Sequence, residues 1–229
     1  MSTFLELCQA VARDSGTVSG AQPVSVSGQS GRLAKIIQFT AEAWTDIQNS
    51  RSAWLWMRQE FQAVTIAGTA EYTSAAWNIT DLAAWIVSDG SVTLYDQAIG
   101  PADEREIAPI SWGRYRVIYG RGAQVQQRPV ACSVKPSNGA LLLGPVPDGV
   151  YVVRGEYRAA PQVLTANTDT PAMPVRFHDA IKWRALQLLA EHDEAPTAMA
   201  TATANLRRVV GELERDQLPQ IAIGGGPLA

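Results

Sequence analysis

Two histidines, two cysteines and scattered acidic pairs are the residues of this 229-residue chain whose types could do chemistry. Their spacing supports little of it. His178 and His192 lie fourteen positions apart, not the i, i+4 interval that puts two imidazoles on one helical face for zinc. His178 reads instead as a residue at a helix start. Cys8 and Cys132 are far apart and outside any metal-like spacing, so both are expected to be reduced and inert, one on an apolar helix face and one in a strand. Gly28-Gln29-Ser30-Gly31 resembles a nucleophile elbow only in part, because Arg32 stands where the closing glycine is needed and no strand precedes it. Neither GxxxxGK[ST] nor GxGxxG occurs. The three glycines from Gly224 have no helix after them whose dipole could hold a phosphate. Asp103-Glu104 and Glu212/Glu214 fit solvated loops and helix faces, although spacing alone leaves a glycosidase-like carboxylate pair open. Trp77, Trp85 and Trp112 suit core or interface anchors, or else platforms that stack sugars or bases. No catalytic residue, metal or cofactor is expected.

The elements that would position these residues follow from periodicity. Residues 2–14 read as a helix with Phe4, Leu5, Cys8, Val11 and Ala12 on one side. Residues 15–30, rich in Gly and Ser, read as a mobile surface connection. Residues 31–50 carry Leu33, Ile36, Ile37, Thr40, Trp44 and Ile47 at helical spacing and would span about 30 Å at the usual rise. An aromatic knot, Trp54-Leu55-Trp56-Met57, follows and is expected to be core. From residue 60 to 160 the period changes to two. Strands are expected around Phe61, around Val92 and Leu94, and over residues 130–134, 140–143 and 150–157, with turns at Pro136-Ser137-Asn138-Gly139 and Pro147-Asp148-Gly149. Residues 109–119 read as a short helix. Pro171 and Pro174 then lead into a helix carrying Phe177, Ile181, Ala185 and Leu188. Beyond Pro196 a second run carries Met199, Ala202, Leu206, Val209, Val210 and Leu213, and Pro219 stops it. These two amphipathic helices make an antiparallel hairpin.

The expected fold class is therefore α+β: a helical base formed by N- and C-terminal helices, with an inserted small antiparallel β-sheet domain. The expected parts are residues 1–58, an N-terminal helical part of the base; 59–160, the inserted β-rich domain; 161–219, the C-terminal hairpin of the base; and 220–229, an extended arm. That last stretch has no helical period, yet Ile221, Ile223 and Leu228 are apolar. It suits either a disordered end or a strand-like arm that docks on a partner.

Composition narrows the function classes. An apolar share of 46% and a charged share of 18% are those of a globular chain, and a net charge of −3 argues against binding held mainly by nucleic-acid phosphates. Of 19 basic residues three are Lys (Lys35, Lys135, Lys182), leaving 16 Arg. That bias fits a GC-rich genome, and it also fits protein interfaces, where planar guanidinium groups are favoured. No apolar run approaches the roughly 18 residues needed to cross a bilayer. No leader-like start is present, so a cytoplasm-like compartment is expected unless the chain is built into a particle.

A resemblance adds to this reading. It is carried by Phe4-Leu5-Glu6-Leu7; by Ala43-Trp44-Thr45-Asp46-Ile47-Gln48 running to Trp54-Leu55-Trp56-Met57 and Phe61; and by Leu141-Leu142-Leu143-Gly144-Pro145-Val146-Pro147-Asp148-Gly149 and Gly155-Glu156-Tyr157-Arg158. It continues through Leu164, Asp169, Pro171, Pro174, Phe177-His178-Asp179, Trp183-Arg184-Ala185-Leu186 and Leu213-Glu214-Arg215-Asp216-Gln217-Leu218-Pro219. In this order the segments resemble the head-to-tail adaptor (connector) proteins of short-tailed and related tailed bacteriophages, over nearly the whole chain and least well in the middle sheet. The resemblance implies a structural virion protein at the neck, assembled in the host cytoplasm. It implies a homo-oligomeric ring, a dodecamer, beneath the portal protein, receiving tail or nozzle proteins. Genomic DNA would pass through the bore without specific binding, and no membrane is involved. Arg207, Arg208, Arg215, Leu218, Ile221 and Ile223 are the expected partner interface. Two other functions remain open on the sequence: a virion-associated cell-wall hydrolase using exposed acids and tryptophans, and another tail-completion or tail-tube protein.

Overall fold

The computed structural model describes residues 2–16 and 22–219. In chain order, α1 (Phe4–Asp14) and α2 (Gly31–Asn49) precede β1 (Arg58–Val64), β2 (Glu71–Tyr72), β3 (Leu82–Ile86), β4 (Val92–Asp96), β5 (Arg105–Glu106) and β6 (Ala108–Pro109). Then come α3 (Trp112–Ile118), β7 (Ala131–Val134), β8 (Leu141–Gly144), β9 (Tyr151–Ala159), α4 (Asp179–His192) and α5 (Pro196–Gln217). The chain is α+β, with helices at both ends of the described sequence. It divides into two compact units, Met1–Met57 with Pro161–Ala229, and Arg58–Ala160.

In the helical unit, α1 starts where it does because Thr3 and Glu6 form a capping box: Glu6 N donates to Thr3 Oγ1 at 3.2 Å and Thr3 N to Glu6 Oε2 at 2.8 Å. The next free amides of α1 are taken by the linker before α4, Phe4 N by Asp169 O at 2.7 Å and Leu5 N by Asn167 O at 3.3 Å. Phe4, Leu7, Cys8, Val11 and Ala12 are its buried stripe, so Leu7 rather than Leu5 faces inward. On α2 the buried set is Ile36, Thr40, Ala43, Trp44, Ile47 and Gln48. Its last turn is closed by Trp54, whose indole donates to Ile47 O at 2.9 Å; of the aromatic knot expected to be core, Trp54 and Met57 are buried and Trp56 is half-buried, but Leu55 is exposed. Gln48 holds the incoming chain like a strand partner: its Nε2 donates to Gln162 O at 3.0 Å and its Oε1 accepts from Gln162 N at 2.7 Å. Helices α4 and α5 form the expected hairpin over Ile181, Ala185, Val209 and Leu213, but the buried leucine on α4 is Leu189, with Leu188 half-buried beside it.

The described part of the Gly/Ser-rich connection is tied down, not loose. Pro23 is buried and its carbonyl accepts from Gln9 Nε2 at 3.0 Å, while Val26 N and Ser25 Oγ donate to Asn167 Oδ1 at 2.7 and 3.3 Å. A single asparagine carbonyl stands in for a tertiary backbone contact. Residues 17–21 lie outside the described set.

The second unit holds two sheets where one small antiparallel sheet was expected. In the first, the nine-residue β9 is central, pairing antiparallel with β1 along one edge and with β4 and β3 along the other, and β5 extends it beyond β4. The second has the order β2-β8-β7-β6, and its β6–β7 pair is parallel. One core joins them: Phe61, Trp85, Leu94, Cys132, Leu141, Leu143 and Val153 pack together. Phe61 lies against Gly155 across the β1–β9 register, so closely that a Cβ there would sit 2.8 Å from the ring. A glycine is required at that crossing.

Candidate interaction surface

The described residues commit their reactive groups to the fold. His178, at the start of α4, is buried with Nε2 3.1 Å from Met173 O, and burial lowers its pKa. His192 sits over Phe39 with Nδ1 3.1 Å from Asp193. Burial pushes the Cys8 and Cys132 thiols up to about 12 and about 11, which leaves both protonated and unreactive at neutral pH. Every carboxylate with a resolved shift moves down. Backbone amides hold Asp103 and Asp169, Arg32 holds Asp193, Lys135 holds Glu71, and Gln217 then Arg176 hold Asp216. A general acid needs the opposite displacement. Among the described residues no group of three or more His, Cys, Asp or Glu could hold a metal ion.

The tryptophans follow the same pattern. Trp85 is buried, meeting Phe61 edge-on at 5.0 Å and donating to Gly139 O at 2.8 Å. Half-buried Trp77 stacks on Tyr72 at 4.8 Å. Trp112 is also half-buried, with Arg116 over its ring.

Of the surface residues expected from the sequence, Arg208 and Arg215 lie on nearly one stripe of α5 and Arg207 is turned about 100° from Arg208. Arg207 borders a groove of about 500 Å³ between the end of α2, α4 and α5, with Ile47, Leu206 and Val210 in its wall and Arg184 fixed to Asp46 at 2.6 Å. Arg208 pairs with Glu212 one turn on, at 3.2 Å. Arg215 donates back to Gly211 O at 3.1 Å and rims a shallower hollow of about 380 Å³ with Arg176, Phe177 and Asp216. Leu218 caps the end of α5 and packs half-buried on the core. Glu214 pairs with Arg51 at 2.6 Å. Ile221 and Ile223 lie outside the described residues. A second groove, about 530 Å³, opens between the end of α1, the start of α2 and the α4–α5 hairpin; at its rim Arg32 meets Asp193 through two bonds of 3.0 and 2.5 Å.

The sheet unit offers a surface the sequence reading did not single out. On the outer face of the first sheet Arg154 reaches Gln62 at 2.9 Å and Glu104 at 3.5 Å and lies over Tyr95, while Arg58 pairs with Glu156. The alternation Arg154, Glu156, Arg158 along β9 was the available signal.

The described residues thus form an α+β chain with grooves and salt-bridged faces. The chain belongs to the SU10 adaptor protein family, which matches residues 2–224. It is thus a phage adaptor, a structural component of the virion. No curated protein matches it. Among the described residues no helix is long and apolar enough to cross a membrane.

Proposed function

We propose that the protein is a head-to-tail adaptor that closes into a ring, a dodecamer, beneath the portal protein, joins the capsid to tail or nozzle proteins and continues the DNA channel. The observation that carries this reading is the family match over residues 2–224. A ring of identical subunits needs heterologous contacts, and so two unlike faces on each subunit. The two grooves of the helical unit and the charged outer sheet face supply unlike surfaces, and an obligate contact would bury on the order of 2,000 Å². Residues 1–58 and 161–219 act as the base and 59–160 as the inserted part. Arg207, Arg208, Arg215 and Leu218, with Ile221 and Ile223, make the partner contacts. The subunit joins the neck after synthesis in the host cytoplasm and does no catalysis.

DNA has to pass without sticking, so the bore is lined by acidic or neutral side chains; a bore lined by most of the 16 arginines would contradict this part. The reading is tested by withholding the chain during phage growth. DNA-filled heads that lack tails and leak their genome are expected. Normal tailed particles would overturn it.

A further inference from the structure

The outer edge of β1 is an open hydrogen-bonding template. Thr65 N donates to Tyr151 O at 2.9 Å, and the β1–β9 register continues from that pair through Ala63↔Val153, Phe61↔Gly155 and Gln59↔Tyr157. In an antiparallel ladder, bonded positions alternate. The odd residues therefore face β9, and the N–H and C=O of Glu60 and Gln62 point to the other side. Val64 fits this assignment, because its carbonyl is turned outward and accepts the Trp77 indole N–H at 3.2 Å. Among the described residues no strand lies along that side of β1. Glu60 and Gln62 are exposed, whereas Phe61 is buried and Ala63 half-buried on the core face beside Trp77. The edge thus presents two donors and two acceptors, with an apolar rim beneath.

Residues beyond Pro219 have the matching pattern. Gln220-Ile221-Ala222-Ile223 alternates polar or small with β-branched side chains, carries no charge, and stands between a proline that ends α5 and three glycines. Two isoleucines two residues apart share one face of a strand. Laid opposite Phe61 and Ala63, they would extend the sheet unit's core past its edge, while four backbone groups of the segment meet those of Glu60 and Gln62.

We propose that residues 220–223 of a second copy of this chain add as a strand to the outer edge of β1, linking adjacent subunits. The inference rests on the ring reading and deepens it.

The test uses particles assembled in cells that supply two full-length chains, one tagged and carrying Gln62→Cys, the other untagged and carrying Ala222→Cys, the position that would lie opposite Gln62 on the same outer face. A short bis-maleimide is then applied. Native Cys8 and Cys132 are both fully buried and remain silent. A covalent tagged–untagged dimer is expected, at least about fivefold above that given by Asp89→Cys, an exposed position off the edge. Because Gln62 also accepts from Arg154, Glu60→Cys serves as a second edge variant, and it should give the same dimer. Particles that contain the adaptor but show no dimer with either variant overturn the inference and leave the ring reading standing. So does coupling of the edge to a different virion protein, or coupling no stronger than at Asp89→Cys. Particles from which both chains are absent overturn the inference together with the ring reading.

Discussion

At the scale of single residues, the groups able to titrate or react near neutral pH are spent on structure, and this can be measured. Burial holds His178 below its ordinary value near 6.5, so the folded chain binds fewer protons there than the unfolded chain. Its stabilising effect is complete above about pH 6.5 and is lost as pH falls toward the depressed folded value, by at most about 1.4 kcal/mol per unit. Urea midpoints should therefore drop between pH 7.5 and 5, and His178→Gln should flatten that slope. An unchanged slope in the variant would show that His178 is not the group responsible. The carboxylates act in a lower window. Asp103, Asp169 and Asp193 have lowered pKa values, so their contribution is present above about pH 4 and lost below it. The thiols give an independent check. Cys8 and Cys132, held protonated by burial, should both resist a disulfide reagent at pH 8 in the native protein and both react in denaturant. Rapid native labelling of either would show an opening this packing does not contain.

At the scale of elements, stability should follow particular crossings and caps. Gly155→Ala places a methyl carbon 2.8 Å from Phe61 and 3.2 Å from Ser91 O; a loss of about 1–3 kcal/mol is expected by chemical denaturation. Thr3→Ala removes half of the α1 capping box and should cost about 1 kcal/mol, with the linker carbonyls of Asn167 and Asp169 still holding the first amides. The sequence made the helices legible because burial repeats along them every three to four residues: Ile36, Thr40, Trp44 and Ile47 needed no tertiary information. It left β3 unread, since Leu-Ala-Ala-Trp-Ile lacks β-branched residues until its end and pairs only because β9 is long enough to hold both β4 and β3. Strands of two residues, such as β5 and β6, carry no period at all, and the parallel β6–β7 pair is a tertiary outcome. The connection through Pro23 and Val26 was misread for a related reason. Gln9 holds Pro23, and Ser25 and Val26 are fixed by Asn167, more than 140 positions away.

At the scale of the whole molecule, the family was legible through the order of its segments, and the surface was not. Arg207, Arg208 and Arg215 share one helix, yet Arg207 borders a groove about 100° around it from Arg208, while Arg208, through Glu212, and Arg215, two turns on, lie on nearly one stripe beside a separate hollow. The edge of β1 could not be read from composition, since an open backbone depends on what fails to pair with it. In the proposed ring such surfaces would acquire a role where copies meet, which makes the position and copy number of the protein in the particle the decisive quantity. The most direct measurement is an electron-microscopic reconstruction of virions carrying a tagged version of this chain. A closed ring of twelve tags is expected at the neck, against the portal and around the DNA path. Tags elsewhere on the particle, or particles without them, would contradict it.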